Sequence, residues 1–222
     1  MQMQIRYAVE SDAPALAAIN IKAFTGQAFI ANAFPGIPYE VVHPLKRARY
    51  LQKMMHPQTH VLAAVDESGT VVGCARWVIP ADEDGAAKKA TVTAMSDAAA
   101  AEASAELALP EGTNKAIYEG FFATLKERGR KYLRDDDFVL DFIATHPSFQ
   151  GRGIAKALLR WGTDAADRAQ KRIYLEATPE GQPVYEKSGW RALERVDIEY
   201  APWGGEGRSE LMLMLRDPVP CA

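Results

Sequence analysis

The chain has 222 residues, of which 48% are hydrophobic and 25% are charged, and its formal net charge is -3. This composition is typical of a globular protein and excludes a strongly basic surface that would recruit nucleic acid or an anionic membrane. No apolar run is long enough to cross a bilayer, and the first residues lack the apolar stretch of a signal peptide, so we expect a cytoplasmic protein. The two cysteines, Cys74 and Cys221, form neither a disulfide framework nor a metal-ligand pattern, and we expect no metal.

Hydrophobic periodicity and turn residues divide the first half of the chain into short elements. In chain order we expect a strand over residues 4–9, a helix capped by Ser11 or Asp12, an irregular loop over residues 26–44, a helix over residues 45–55, and a hairpin of strands 60–65 and 71–79. Residues 81–113 are rich in Ala and acidic side chains, which predicts a marginal helix or a mobile insertion.

The second half of the chain alternates helices with strands. In chain order we expect a helix capped by Asn114, a buried strand over residues 138–145, a helix over 153–169, a strand over 172–177, a short helix over 183–188, and strands over 192–200 and 210–215. This order predicts one domain, residues 1–222, of mixed α/β (α+β) class. Its central sheet is expected to be mostly antiparallel and flanked by helices, with one strand–helix–strand crossover.

The segment with the clearest chemistry runs from Asp141 to Ala155. A buried strand ends, Pro147 enforces an extended exit, and a turn with Gly151 and Gly153 opens into an amphipathic helix. The first turn of a helix has unpaired N–H groups and a partial positive charge, which suit a phosphate group. The segment matches neither the P-loop nor G-x-G-x-x-G, and taken alone such a helix entry is more often only a cap.

Two motifs together resemble the GNAT superfamily of N-acetyltransferases. Residues 150–155, Gln-Gly-Arg-Gly-Ile-Ala, match its Q/R-x-x-G-x-G/A signature, and residues 184–190, Val-Tyr-Glu-Lys-Ser-Gly-Trp, are similar to its usual Leu-Tyr-Glu-Lys-x-Gly-Phe ending. The resemblance is strongest over residues 138–190. It implies a GNAT-like acyl-CoA N-acyltransferase fold and acetyl-CoA as the acetyl donor.

The resemblance also assigns roles to the residues that bind acetyl-CoA. Backbone groups of Ile143, Ala144 and Thr145 would meet the pantetheine arm. The pyrophosphate would be wrapped by Gln150, Gly151, Arg152, Gly153, Ile154, Ala155 and Lys156. Thr178 stands where the family often has an Asn that contacts the pantetheine, and its hydroxyl can still form a hydrogen bond.

Acetyl transfer to an amine needs a proton donor for the thiolate that leaves and a base for the amine. Tyr185 occupies the family's tyrosine position and is the predicted general acid. Asp141, a charged residue in an apolar strand, is the candidate base, or else it is a carboxylate satisfied by neighbouring backbone groups or by an Arg. Glu176 is the second candidate base, or a contact for the substrate ammonium.

The acceptor is expected to be the primary amine of a small molecule, attacking directly in a ternary complex. The mildly acidic composition weakly favours a cationic amine. A peptide or protein N-acetyltransferase and a non-catalytic acyl-CoA sensor are the alternatives, and a homodimer is possible for a protein of this family.

Overall fold

The computed structural model describes residues 3–80 and 95–220. The strands in these ranges are β1 (Met3–Tyr7), β2 (Thr59–Asp66), β3 (Val71–Val78), β4 (Phe138–Thr145), β5 (Ile173–Ala177), β6 (Arg191–Glu199) and β7 (Arg208–Arg216). The α-helices there are α1 (Ala13–Ala23), α2 (Ala28–Ala33), α3 (Tyr39–Met55), α4 (Asp97–Ser104), α5 (Lys115–Gly129), α6 (Ile154–Ala169) and α7 (Gln182–Glu186). The sheet order is β1-β2-β3-β4-β5-β7-β6, and the predicted mixed α+β class with a mostly antiparallel sheet is confirmed.

The structure differs from the sequence-based prediction mainly between residues 26 and 55. The expected loop contains helix α2, and α3 begins at Tyr39 and continues through Pro44. A proline near the start of a helix removes one backbone donor, and here the buried side chains of Val42, Leu45 and Leu51 hold the helix in place. Of the expected insertion at 81–113, residues 81–94 lie outside the described residues, and α4 occupies part of the remainder.

Two compact units can be distinguished, and the prediction of one domain with an insertion stays a prediction. The first unit comprises residues 1–23, 38–108 and 140–165. In it β2 pairs antiparallel with both β1 and β3, with Leu62 opposite Ala75. Helix α6 lies against β3, since a Cβ on Gly162 would stand 2.3 Å from the Trp77 ring. This close packing fixes the position of α6 on its sheet.

The second unit comprises residues 24–37, 109–139 and 166–222. Its strands pair antiparallel in the order β5-β7-β6, with Leu175 opposite Met214 and both side chains buried. The Asn114 side chain caps α5 by accepting a 3.1 Å hydrogen bond from the amide of Ile117, as predicted. Its Nδ2 donates to the carbonyl of Trp203 at 3.0 Å. These contacts join α5 to the loop that precedes β7.

Candidate active site

The exit from β4 is held by backbone hydrogen bonds within the first unit. The amide of His146 donates to the carbonyl of Val72 on β3 at 2.9 Å, and the amide of Phe149 donates back to the carbonyl of His146 at 2.8 Å. The His146 Nδ1 accepts from the amide of Ser148 at 3.3 Å. Pro147 begins a short 3-10 turn that ends at Phe149. The chain is therefore turned sharply between β4 and the start of α6.

Gly151 and Gly153 adopt backbone conformations that only glycine takes readily. Their φ angles are +74° and +80°, and a Cβ built on either residue would meet nothing within 4 Å. An L-residue in this region costs about 1–2 kcal/mol, so the glycines are required by the backbone and not by crowding. The space beside them is open, and a ligand can approach the backbone closely there.

The first turn of α6 offers amides without partners in the helix. The amide of Ala157 donates to the carbonyl of Gly153 at 3.1 Å, so the amides of residues 154–156 precede the first intrahelical bond. The first turn has no acidic residue. Ile154 anchors it, because its side chain is buried and its Cγ2 lies 2.6 Å from where a Cβ on Gly73 would be. A pyrophosphate group would fit here, because the open turn is followed by free amides at the positive end of a 16-residue helix.

Two basic side chains, Arg152 and Lys156, lie at this turn and differ in their contacts. Arg152 folds back on the turn: its Nη2 donates to the carbonyl of Ser148 at 3.3 Å, and its guanidinium lies 4.9 Å from the Phe149 ring centre. Lys156 is exposed on the first turn of α6. Both charges raise the positive potential near the free amides.

Asp141 on β4 lies in an ion pair. Its Oδ2 accepts from Nε of Arg76 on β3 at 2.9 Å and is 4.0 Å from Nζ of Lys53 on α3. Burial raises the pKa of Asp141, but the charges of Arg76 and Lys53 outweigh it, and the net shift is downward. A lowered pKa makes this carboxylate a weaker base, and the geometry matches the alternative in which an Arg holds it. Arg76 was overlooked in the sequence, where it is one charged residue within the apolar run 71–79.

Cys74, two residues before Arg76, is a buried free thiol. The hydroxyl of Tyr50 lies 3.5 Å from its Sγ. Burial raises the pKa of Cys74 to about 11. The group is therefore a neutral thiol near pH 7, in keeping with a structural residue.

Tyr185, in the second unit, is a buried phenol on α7. Its side chain is 8% exposed, and its ring packs edge to face against Trp190 at a centroid distance of 5.9 Å. A Cβ on Gly181 would lie 3.0 Å from its Cε2, so the glycine makes room for the ring. Burial raises the pKa of Tyr185 to about 12, and no other cause contributes. The hydroxyl is protonated at neutral pH and remains available as a donor.

Glu176 and Thr178 also lie in the second unit, at and just beyond the end of β5. Oε1 of Glu176 accepts from the hydroxyl of Tyr174 at 3.2 Å. The carbonyl of Thr178 accepts from the amides of Gly181 and Gln182, both at 3.0 Å, and its Oγ1 accepts from the Gly181 amide at 3.3 Å. Thr178 thus forms the turn that leads into α7.

The first unit therefore contains the turn at Gly151 and Gly153, residues 143–145 and Asp141, whereas Tyr185, Glu176 and Thr178 belong to the second unit. Within the described ranges there is no cluster of three or more potential metal-ligating side chains. Nor do those ranges contain a helix that is both long and apolar enough for a bilayer. No residue role is tested by these observations, and the assignments stay predictions.

Comparison with known proteins identifies acetyltransferases among the matches. The model of the acetyltransferase (GNAT) domain family matches residues 122–199, which include both motifs. A protein called acetyltransferase from Stachybotrys chartarum is 24% identical over 200 residues, covering 87% of this chain and 83% of its own.

Solved structures share the fold. Arylalkylamine N-acetyltransferase 2 from Aedes aegypti has a TM-score of 0.62 at 15% identity, covering 98% of this chain and 99% of its own. The protein yncA from Salmonella typhimurium, solved with its cofactor acetyl-CoA, has a TM-score of 0.51 at 16% identity, covering 100% of this chain and 97% of its own.

Proposed function

We propose that this chain is an acetyltransferase of the GNAT superfamily, whose family model matches residues 122–199, and that it transfers the acetyl group of acetyl-CoA to the primary amine of a small molecule. The observation that carries the proposal is the open turn at Gly151 and Gly153, followed by the free amides of α6. Such a turn suits a diphosphate, which acetyl-CoA contains. The related fold of yncA was solved with acetyl-CoA, which supports the same donor here.

Acetyl-CoA supplies a thioester whose carbonyl carbon the amine attacks, so that a C–N bond forms, the C–S bond breaks and the thiolate leaves. In the proposed arrangement residues 150–156 hold the pyrophosphate, and the backbone of residues 143–145 aligns the pantetheine arm as an added strand would. Binding both substrates at once removes the need for a covalent acetyl-enzyme and lets orientation lower the barrier.

Tyr185 is proposed as the donor to the departing sulfur. Its pKa of about 12 lies well above the roughly 8.5 of a free thiol. Complete proton transfer to the thiolate would therefore be uphill by about 5 kcal/mol, at about 1.4 kcal/mol per factor of ten. A hydrogen bond from the neutral hydroxyl stabilises the thiolate without that cost. We expect Tyr185 to donate a hydrogen bond in the transition state, with the proton finally supplied from solvent.

The proton of the amine needs a different acceptor from Asp141. The ion pair with Arg76 and the lowered pKa make Asp141 a weak base. Glu176, which already accepts a hydrogen bond, or a chain of water molecules is the proposed path. This proposal keeps Asp141 as a group that orients Arg76.

Binding of acetyl-CoA can be tested by calorimetry on the folded protein. Gly153→Glu adds a side chain and a negative charge at the phosphate turn, and we expect it to abolish binding. Gly69→Glu is a matched control, because Gly69 also has a positive φ (+84°) and nothing within 4 Å of a built Cβ, but lies in the β2–β3 turn. Equal affinity of the wild type and the Gly153→Glu variant would refute the assignment of the turn.

The acceptor class can be tested by thiol release from acetyl-CoA with small amines and with a peptide library. Turnover with small amines supports the proposal. Turnover with peptides alone would identify a peptide N-acetyltransferase. Tight binding of acetyl-CoA without turnover on any amine would identify a sensor.

A further inference from the structure

The end of α7 places an aromatic ring directly against Tyr185. The amide of Trp190 donates to the carbonyl of Tyr185 at 3.1 Å, and the amide of Gly189 donates to the carbonyl of Glu186, also at 3.1 Å. Because Gly189 has a φ of +93°, these two bonds close the helix as a Schellman motif, which turns the chain back on itself. The turn brings the centres of the Trp190 and Tyr185 rings to 5.9 Å, the apolar contact that commonly accompanies this motif.

Packing alone orients the Tyr185 side chain. Its ring meets Trp190 edge to face and lies close to the backbone at Gly181. In the described part of the chain the hydroxyl forms no hydrogen bond, and burial is the cause of its raised pKa. The direction in which Tyr185 can donate a proton therefore depends on how firmly Trp190 holds the ring.

A buried arginine lies over the same Trp190 ring. The guanidinium of Arg216, the last residue of β7, is 5.7 Å from the centre of the Trp190 ring, which is within the range of a cation–π contact. Its Nε lies 3.6 Å from where a Cβ on Gly189 would be, so the arginine also borders the turn that carries Trp190. Within the described ranges the buried Nε1 of Trp190 has no hydrogen-bond partner, so the indole is held by contacts with its ring.

Asp167 fixes this guanidinium in place. Nη1 and Nη2 of Arg216 donate to Oδ1 and Oδ2 of Asp167, both at 2.7 Å, and the Arg216 side chain is only 8% exposed. The amide of Val219 donates to the same carboxylate at 2.8 Å. A bidentate pair has a defined geometry that a lysine cannot reproduce. Asp167 and Arg216 both belong to the second unit, as do Trp190 and Tyr185.

We propose that Arg216, aligned by Asp167, is a positioning residue that acts through Trp190 on the direction of the Tyr185 hydroxyl. The proposal rests on the proposed function and on Tyr185 as the donor to the departing sulfur. A hydrogen bond weakens steeply when it is misaligned, and a misplacement of about 1 Å can cost about a hundredfold in rate. A pair that only tied the C-terminal segment to α6 would contribute to stability and have no influence on the step that Tyr185 assists.

A double-mutant cycle on kcat, measured by thiol release at saturating acetyl-CoA, tests the proposal. Arg216→Lys keeps a cation beside Asp167 but loses the bidentate geometry, and we expect kcat to fall about tenfold with the KM for acetyl-CoA unchanged. The fall should not exceed that of Tyr185→Phe, because Arg216 acts only through the hydroxyl. In the Tyr185→Phe protein, Arg216→Lys should change kcat by less than about twofold. Trp190→Phe, which retains an aromatic ring, should keep more of the wild-type kcat than Trp190→Leu.

Arg172→Lys is the matched control. Arg172 also forms a buried bidentate pair in the second unit, with its Nε donating to Oδ1 of Asp137 at 2.8 Å and 17% of its side chain exposed. Its remaining hydrogen bond goes to the carbonyl of Tyr132. We expect Arg172→Lys to lower the Tm as Arg216→Lys does, whereas any change in kcat should be the same with and without the Tyr185 hydroxyl.

Three results would overturn the proposal. The first is an Arg216→Lys protein with the kcat of the wild type. The second is a fall in kcat that is equally large in the Tyr185→Phe protein, and the third is the same non-additivity in the Arg172→Lys control. If Arg216→Lys does not fold, Trp190→Leu leaves the ion pair intact and is judged by the first two criteria. Failure of the proposed function differs from all three, since the wild type would then release no thiol from acetyl-CoA with any amine.

Discussion

Replacing Lys46 by Met should stabilise the protein at neutral pH. The pKa of Lys46 falls from an ordinary 10.5 to about 8, because the folded chain disfavours its charge. That difference corresponds to about 3 kcal/mol, at about 1.4 kcal/mol for each factor of ten. The side chain keeps some contact with water, so we expect a gain of about 1–3 kcal/mol at pH 7. Met retains the length of the apolar stem while removing the charge.

The gain should depend on pH in a defined direction. Between about pH 8 and 10.5 the unfolded chain holds a proton on Lys46 that the folded chain has lost. The free energy of unfolding of the wild type therefore rises with pH across this window, and Lys46→Met lacks this contribution. The advantage of the variant should be full below about pH 8 and small above pH 10.5.

Urea unfolding of both proteins at pH 7, 9 and 10.5 measures the difference directly. Lys126→Met is the matched control, since its ammonium is exposed on α5 and its replacement should leave stability within about 0.5 kcal/mol. A Lys46→Met variant that is no more stable than the wild type at pH 7 would show that the Lys46 ammonium is well solvated. A gain that persists unchanged at pH 10.5 would show that it arises from packing.

Three further predictions concern other contacts. Tyr185→Phe removes one hydrogen bond to a charged group and should lower kcat by about ten- to 150-fold in thiol-release assays. The affinity for acetyl-CoA should not change. A variant with the same kcat as the wild type would show that Tyr185 takes no part in the reaction. Asp141→Asn leaves Arg76 without its carboxylate and should lower the free energy of unfolding by about 1–3 kcal/mol at pH 7. Because the pKa of Asp141 is lowered in the folded protein, the wild type should lose its stability advantage over Asp141→Asn as the pH falls below the usual pKa range of aspartate. Urea titrations at several pH values can follow this loss. The side chain added in Gly162→Val would clash with the Trp77 ring and should destabilise the fold by about 1–3 kcal/mol or more, which a lower Tm would show. An unchanged Tm would contradict the close packing of α6 on β3.

Local patterns predicted much of the fold. The strand 138–145 was predicted with the bounds that β4 has, because its apolar run is continuous and Pro147 marks its end. The start of α6 was predicted because Gly151 and Gly153 directly precede a stripe of apolar residues at helical spacing. In contrast, residues 26–44 were predicted to form an irregular loop, whereas α3 begins at Tyr39, since the packing that retains this helix around Pro44 involves residues far away in the chain.

The site shows the same division between local and distant information. The turn at Gly151 and Gly153 is contiguous in sequence, and its backbone conformation could be anticipated from the glycines. The pairing of Asp141 with Arg76 could not, because 65 residues separate them and only the sheet brings them together. The same is true of the repulsion between Lys46 and Arg76.

The burial of Cys74 has a practical consequence. With a pKa of about 11, only about one thiol in ten thousand is ionised at pH 7, and even that fraction is shielded from solvent. In a Cys221→Ser protein, a thiol-reactive dye would thus record coenzyme A as it is released, with little background from the folded enzyme. The same dye would label Cys74 when the chain unfolds, so a single reagent reports turnover in one experiment and loss of native structure in another.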